Sequence, residues 1–376
     1  MSALEHSIFP PSSMHRLTKC TGSFDLCKLY PEPEDSPAAM EGTAFHEVVA
    51  NLIGGASMAV GSLASNGIAV TEEMVEGAEM CVEAIPFDML GACHVEERID
   101  IHGIHPECFG TPDVWFYDPV KRVLNVLDWK FGHGYVEVFE NYQLAAYASG
   151  IMDQQGYDDL EIWVKFTIVQ PRCFHKDGPV RTWGCKAHEL RGMINIMAMA
   201  CGTAATGQGV CRTGEHCLHC SGIVACDAAQ RAGAAAMDFT AQPVPSEMSP
   251  ADRGLYLTRV RQAATMLKAL DSGLSEEIER SIRVGQAVPG FTLEPGQGRT
   301  GWSKPFNEVA ALGDMLGVQL RKEALLTPIQ ATAALKKMGV DGSVISGYSE
   351  STSGALKLAQ TDSTLTRRVF GIHKEQ

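Results

Sequence analysis

A chain of 376 residues with 45% apolar content can bury a large core, arranged as two domains or one elaborated one. It has no run of eighteen apolar residues and no signal-peptide pattern in its first thirty positions, so it reads as a soluble, intracellular protein with no membrane partner. Twelve cysteines in such a chain argue for reduced thiols and metal ligation, and a formal charge of −14 means that any contact with a polyanion must be local.

In chain order, residues 12–29 read as a loop entering a short helix, with Ser23 near a turn, and residues 31–37 as a Pro/Glu loop. Residues 38–53 are helical in pattern and contain Glu41-Gly42-Thr43-Ala44-Phe45-His46, whose histidine is either a packed core residue or a ligand. Residues 70–90 have a helical period, and residues 94–101 alternate like a strand. Glu97 in that strand is either an acidic ligand or a solvent-facing residue.

The most informative stretch follows. Residues 113–117 and 123–130 read as two strands joined by the turn Asp118-Pro119, with a helix from about residue 140. Side chains two apart on a strand share a face, so Asp128 and Lys130 project together. A hairpin closing at Pro119 and Val120 sets Asp113 opposite residues 126–128, with roughly 5 to 8 Å between the two aspartate β-carbons. Two carboxylates and a lysine in one apolar patch are costly unless a cation sits among them. Oxygen ligands with room for water suit Mg²⁺ or Mn²⁺, and the lysine can orient or deprotonate an attacking water, its pKa lowered by a nearby cation and partial burial. Gln143 and Tyr147, four apart, share a face of the helix.

Residues 160–170 are rich in β-formers and end in Gln170-Pro171-Arg172. The stretch holding Lys165, Arg172, Lys176, Arg181 and Lys186 is richer in bases than its surroundings and offers a local DNA contact. A helical pattern over residues 187–205 packs the sheet. Then come Cys211, Cys217, Cys220 and Cys226, of which the last three are close enough in sequence to share a metal that generally takes four ligands. Spacing does not separate zinc from an iron-sulfur cluster, and His216, His219, Cys27 and Cys211 are substitute ligands. Cys81, Cys93, Cys108, Cys173, Cys185 and Cys201 read as buried small apolar residues.

Pro112-Asp113 followed by Asp128-Trp129-Lys130 resembles the PD-(D/E)xK nucleases. Gly42-Thr43 with His46 ahead of these motifs, and Gln143 with Tyr147 after them, are similar to the RecB-type branch. The resemblance implies an α/β restriction-endonuclease-like core, a mixed β-sheet flanked by helices. It implies Asp113, Asp128 and His46 as metal ligands, with the Leu127 or Trp129 carbonyl, and Lys130, Gln143 and Tyr147 as catalytic partners, the last two touching Lys130 or the DNA strand. The family often has an acidic residue four positions after the histidine, where this chain has Ala50. Cys20-Thr21-Gly22-Ser23 resembles the amino-terminal Cys-Pro-x-Ser segment of the AddB-type and CRISPR-associated iron-sulfur nucleases. That likeness implies that Cys20 joins Cys217, Cys220 and Cys226 to hold a [4Fe-4S] cluster, with zinc as the alternative, stapling the two ends of the nuclease domain.

Beyond residue 226, residues 228–236 read as a small helix, 238–250 as a linker and 251–284 as one long amphipathic helix. The implied division is a nuclease domain over 1–236, a linker over 237–250 and a mainly helical domain of unassigned role over 251–376. Residues 291–302 look like a hairpin with Arg299 at its tip and Trp302 either stacking on a base or packing the small domain. Residues 307–316 and 327–338 read as helices, and Gly296-Gln297-Gly298 lacks the lysine of a phosphate loop. Almost the whole chain resembles a phage-borne, RecB-like family of mostly unassigned function. The expected activity is a DNA exonuclease acting on linear ends, leaving a 5′-phosphate, in phage recombination or replication in the bacterial cytoplasm, with a partner protein from those processes. A noncatalytic, Cys₄-stapled DNA-binding or assembly protein on the same scaffold is the alternative.

Overall fold

The computed structural model describes residues 7–30, 37–157, 161–244, 247–293 and 341. Its centre is a five-stranded mixed sheet made of β1 (His94–Val95), β4 (Val114–Asp118), β5 (Val123–Trp129), β6 (Trp163–Val169) and β7 (Val180–Lys186), side by side in that order. The short strands β2 (Ile99–Asp100) and β3 (Phe109–Gly110) pair separately.

The β4–β5 hairpin forms where alternation called for it because Asp118 fixes the turn. Its Oδ1 accepts from the backbone N–H groups of Val120 and Lys121, both at 3.0 Å, and Arg122 takes a left-handed φ of 55°. That four-residue turn sets Val114 opposite Leu127 and Asp118 opposite Val123, so Asp113 comes level with Asp128. β5 then runs parallel to β6, which requires a crossover, and α5 (Tyr142–Gln155) supplies it. Asn141 caps α5 by accepting from Leu144 N–H, and Gly156 closes it at a φ of 65°. The helix expected from residue 140 therefore starts two residues later.

The sheet is covered on both faces. Leu124, Val126, Phe166 and Ile168 pack under α5, α6 (Arg191–Ala205) and α1 (Met14–Lys19). Val114, Phe116, Leu127 and Trp129 pack under α3 (Pro37–Ile53) and α4 (Glu72–Glu83). This is the mixed sheet flanked by helices that the sequence implied. α5 lies close enough to β2 that a β-carbon on Gly150 would fall 2.6 Å from Ile99 Cγ2 and 2.7 Å from the Asp100 carbonyl oxygen. Gly150→Ala is expected to destabilise the fold by about 1 to 3 kcal/mol, the usual cost of overpacking, as a shifted urea midpoint with unchanged slope.

Several expectations need correction. The run 94–101 is not one strand: it breaks at Glu96, whose φ is 49°, into β1 in the main sheet and β2 in the small one. The segment 12–29 holds two helices, α1 and α2 (Ser23–Leu29), and β7 is an edge strand that the sequence reading passed over. α7 (Asp227–Ala241) extends into the expected linker. α8 (Pro250–Arg283) does not begin a separate body: Met266 and Ala269 are buried with Cys217, Ile223, Cys226 and Ala229, and the helix belongs to the same compact unit as the sheet. The expected loop at 31–37 falls almost entirely outside the described residues, as do the hairpin tip with Trp302 and the helices at 307–316 and 327–338. Among the described residues no helix is long and apolar enough to cross a membrane.

Candidate active site

The site gathers where β4 begins and β5 ends. Asp113 and Asp128 are 8% and 3% exposed, and both carboxylates are heavily committed. Asp113 Oδ2 accepts from Trp129 N–H across the hairpin. Asp128 accepts from Lys130 Nζ on both oxygens, at 3.0 and 2.8 Å, and Gln143 Nε2 donates to its Oδ1 at 3.1 Å. Lys130 reaches its partner because residues two apart on a strand share a face. Gln143 reaches it because the first turn of α5 lies over that face.

His46 arrives from the opposite layer, on α3. Its Nε2 lies 3.1 Å from the Trp129 carbonyl oxygen, which can only accept, so Nε2 carries the proton. Nδ1 then faces Asp113 Oδ1 at 3.3 Å and Glu96 Oε1 at 3.8 Å. One ligand atom from each of His46, Glu96 and Asp113 lies within 4.8 Å of the others. An N–H held by a backbone carbonyl is how a metal-ligating histidine is usually oriented. One imidazole nitrogen and two carboxylates, with no thiol, form a donor set that fits a divalent cation such as Mn²⁺.

The electrostatics follow from burial and crowding. Burial opposes charge on His46, but Asp113 beside it outweighs this and lifts its pKa to about 9. Burial pushes the Asp128 carboxyl up, with Lys130 pulling it down and Asp113 adding to the rise. Burial likewise works against the Lys130 ammonium, yet Asp128 and Asp113 overcome it and hold the pKa above its ordinary value. Paired to Asp128, Lys130 is thus held as a cation here, and the expected lowering of its pKa is one that a metal ion beside it would bring.

The structure sorts the remaining expectations residue by residue. Glu96, not Glu97, stands beside His46; Glu97 is exposed and pairs with His94 at 2.6 Å. The left-handed backbone at Glu96 turns its side chain to the site, at a conformational cost of about 1 to 2 kcal/mol. No residue-type signal announces such a bend. Gln143 contacts Asp128 rather than Lys130. Tyr147 is buried behind the site, hydrogen-bonded to Gln143, and burial raises its pKa well above the ordinary value. The Trp129 carbonyl is occupied by His46. Arg172, expected to face DNA, is tied to Glu41 and Glu73 at 2.7 and 2.8 Å and lies over the Phe131 ring, while Arg181 is buried.

A second cluster joins the chain's beginning to its middle. Cys20 Sγ accepts from Arg212 N–H at 3.3 Å, and Cys27 Sγ lies 3.8 Å from Cys220 Sγ. Cys211 contacts Cys20 and Cys226, and His216 contacts Cys20 and Cys217. Cys20, Cys217, Cys220 and Cys226 thus share one neighbourhood, with Cys27, Cys211 and His216 among them. The ionisation of the thiols is linked, one favoured at the other's expense: the Cys220 contact brings Cys27 down to about 5, while contact with Cys27 drives Cys220 far up. Such a set loses its protons together only around a cation, so its donor chemistry fits a soft metal or an iron-sulfur cluster. Cys81, Cys108, Cys173, Cys185 and Cys201 are buried as expected, and Cys93 is half-buried.

Residues 6–364 match the family described as "Protein of unknown function (DUF2800)". The chain belongs to the DUF2800 family. A crystal structure from Eubacterium rectale bearing the name "Putative exonuclease" is similar over 65% of this DUF2800 chain and 92% of that one, at 11% identity and a TM-score of 0.36.

Proposed function

We propose that this DUF2800 protein is a metal-dependent deoxyribonuclease of the PD-(D/E)xK type, acting as an exonuclease on linear DNA ends in phage recombination or replication. The observation that carries the reading is the convergence of Asp113, Asp128 and Lys130 from one hairpin with His46 from α3 and Glu96 from the β1–β2 bend. Buried, mutually repelling carboxylates beside a fixed ammonium are costly to fold and idle without a cation and an anionic substrate.

Asp113, Glu96 and His46 Nδ1 would hold a Mg²⁺ or Mn²⁺ ion, and Asp128 lies beside them for a shared or second one. When bound, the ion activates water and neutralises phosphate charge. Lys130 orients the attacking water and offsets charge on the scissile phosphate. Gln143 holds Asp128 and Tyr147 backs Gln143, so both are positioning residues. Uncatalysed phosphodiester hydrolysis leaves an enzyme on the order of 20 kcal/mol to remove. Proton transfer supplies only about 3 to 5 of it, so charge stabilisation carries much of the rest.

In the same reading a [4Fe-4S] cluster, or zinc in its place, is held by Cys20, Cys217, Cys220 and Cys226 as a structural staple.

The test is degradation of linear single- and double-stranded DNA with Mg²⁺ or Mn²⁺, comparing the wild type with Asp113→Asn. Near-complete loss in the variant is expected. A wild type inert on both substrates but still binding DNA returns the noncatalytic alternative. Calorimetric Mn²⁺ titration of Glu96→Gln checks the added ligand: affinity is expected to fall at least tenfold, and an unchanged value removes Glu96 from the site.

A further inference from the structure

A cavity of about 350 Å³ opens beside the edge strand β7, away from the carboxylates, and Tyr135, Phe139, Asp177, Val180, Arg181 and Trp183 line it. Arg181 is 4% exposed, and the partners of its guanidinium are uncharged oxygens: Gly178 O at 2.9 Å, Val136 O at 3.1 Å and Gln170 Oε1 at 2.6 Å. Its Nε is buried without a hydrogen-bond partner among the described residues. Arginine does not give up its proton, so this is a buried positive charge satisfied by dipoles alone. The guanidinium lies 4.7 Å from the Tyr135 ring, His175 lies tilted against Tyr135 at 4.2 Å, and Trp183 meets Phe139 edge-on at 5.3 Å. The cavity thus has aromatic walls and a cationic floor. Asp177, paired to His175 at 3.4 Å, adds an acceptor that suits a base amino group and disfavours a free phosphate.

The strand register relates this cavity to the active site. Asp128 is level with Ile168, and Ile168 with Arg181, so the aspartate and the arginine stand in one row on one face, two strands apart. Two strand spacings are about 10 Å, the rise of about three stacked nucleotides. Gln170 ties the two places together: its side chain donates to the Gly132 and Gly134 carbonyls, just past Lys130, and accepts from Arg181.

We propose that this cavity is a stacking subsite for one base of the DNA strand that leads into the active site, with Arg181 as its positive floor; this rests on the nuclease reading above. A flat, sequence-tolerant contact of this kind lets an acidic protein hold a strand without a broad basic surface.

The test uses the full chain without added divalent cation, so that nothing is cut, and reads the affinity for a fluorescein-labelled dT10 by anisotropy. Tyr135→Leu and Trp183→Leu are each expected to weaken binding by about 5- to 150-fold, the range for losing one base–aromatic stack, while Tyr135→Phe keeps the ring and the affinity. Melting curves establish that each variant is folded, and Tyr135, on an exposed loop, tolerates the change. Wild-type binding that both leucine variants retain within twofold overturns the subsite and leaves the nuclease reading intact. Equal weakening in Tyr135→Phe and Tyr135→Leu assigns the effect to the hydroxyl and also overturns it. A wild type that does not bind dT10 at all overturns the subsite, and the degradation assay above decides the nuclease reading separately.

Discussion

Lys130→Met is expected to cut the rate of metal-dependent DNA hydrolysis by at least 100-fold and also to destabilise the protein. The two effects have different origins. Lys130 is the cationic partner of a carboxylate whose side chain is only 4% exposed, and removing it strands that charge in the interior. Breaking a buried pair from one side typically costs about 3 to 5 kcal/mol, whereas replacing both partners with apolar side chains is often neutral or stabilising. The double variant Asp128→Leu/Lys130→Met is therefore expected to regain most of the lost stability and none of the activity. Urea unfolding and DNA degradation assays on the same preparations read the two quantities separately. Retention of activity within threefold in Lys130→Met would remove the lysine from the mechanism.

The second large effect is at Cys20. This thiol accepts from a backbone N–H 192 residues further along the chain. If a metal centre ties it to Cys217, Cys220 and Cys226, the closed loop restrains the unfolded chain by about 5 kcal/mol on the loop-entropy estimate made for disulfides. Cys20→Ala is expected to lose the bound iron or zinc and to lower the melting temperature by roughly 5 to 10 °C, given about 1 to 2 °C per kcal/mol at this size. Cys108→Ala is the control, a buried thiol with no part in the cluster, and is expected to keep the metal. Elemental analysis decides the identity: about four irons per chain for the cluster, or zinc in a colourless protein. Equal metal content in wild type and Cys20→Ala would dissolve the staple.

The parts of this architecture legible in the sequence are those where a period and a boundary signal coincide. β4, β5 and α5 each combine apolar alternation or helical spacing with a turn or cap residue, Asp118 for the hairpin and Asn141 for the helix. β7 lacks that agreement: it exposes Val180 and buries Arg181, the reverse of the expected alternation, and Gly184 interrupts it. α8 was legible as a helix but not as a partner of the cysteine segment, because a docking face looks like any amphipathic stripe. Within the site, Asp113, Asp128, Lys130 and Gln143 are set by strand and helix periodicity and so could be placed in advance. Glu96 could not, since its role depends on one backbone dihedral, and the regular alternation of residues 94–101 pointed to its neighbour. Arg172 shows the opposite error, a surface-like arginine drawn largely out of solvent and tied to two half-exposed glutamates.

His46 comes from the α3 layer and Gln143 from the α5 layer, and they meet only across the end of the hairpin. Lifting α3 away would strip the imidazole from Asp113 and leave the trio of Asp128, Lys130 and Gln143 untouched. A half-assembled chain, whether still being synthesised or locally opened, therefore holds only half of the reactive centre. If the site cuts DNA as proposed, cleavage requires α3 to be docked on the hairpin, since a copy opened there lacks the His46 imidazole.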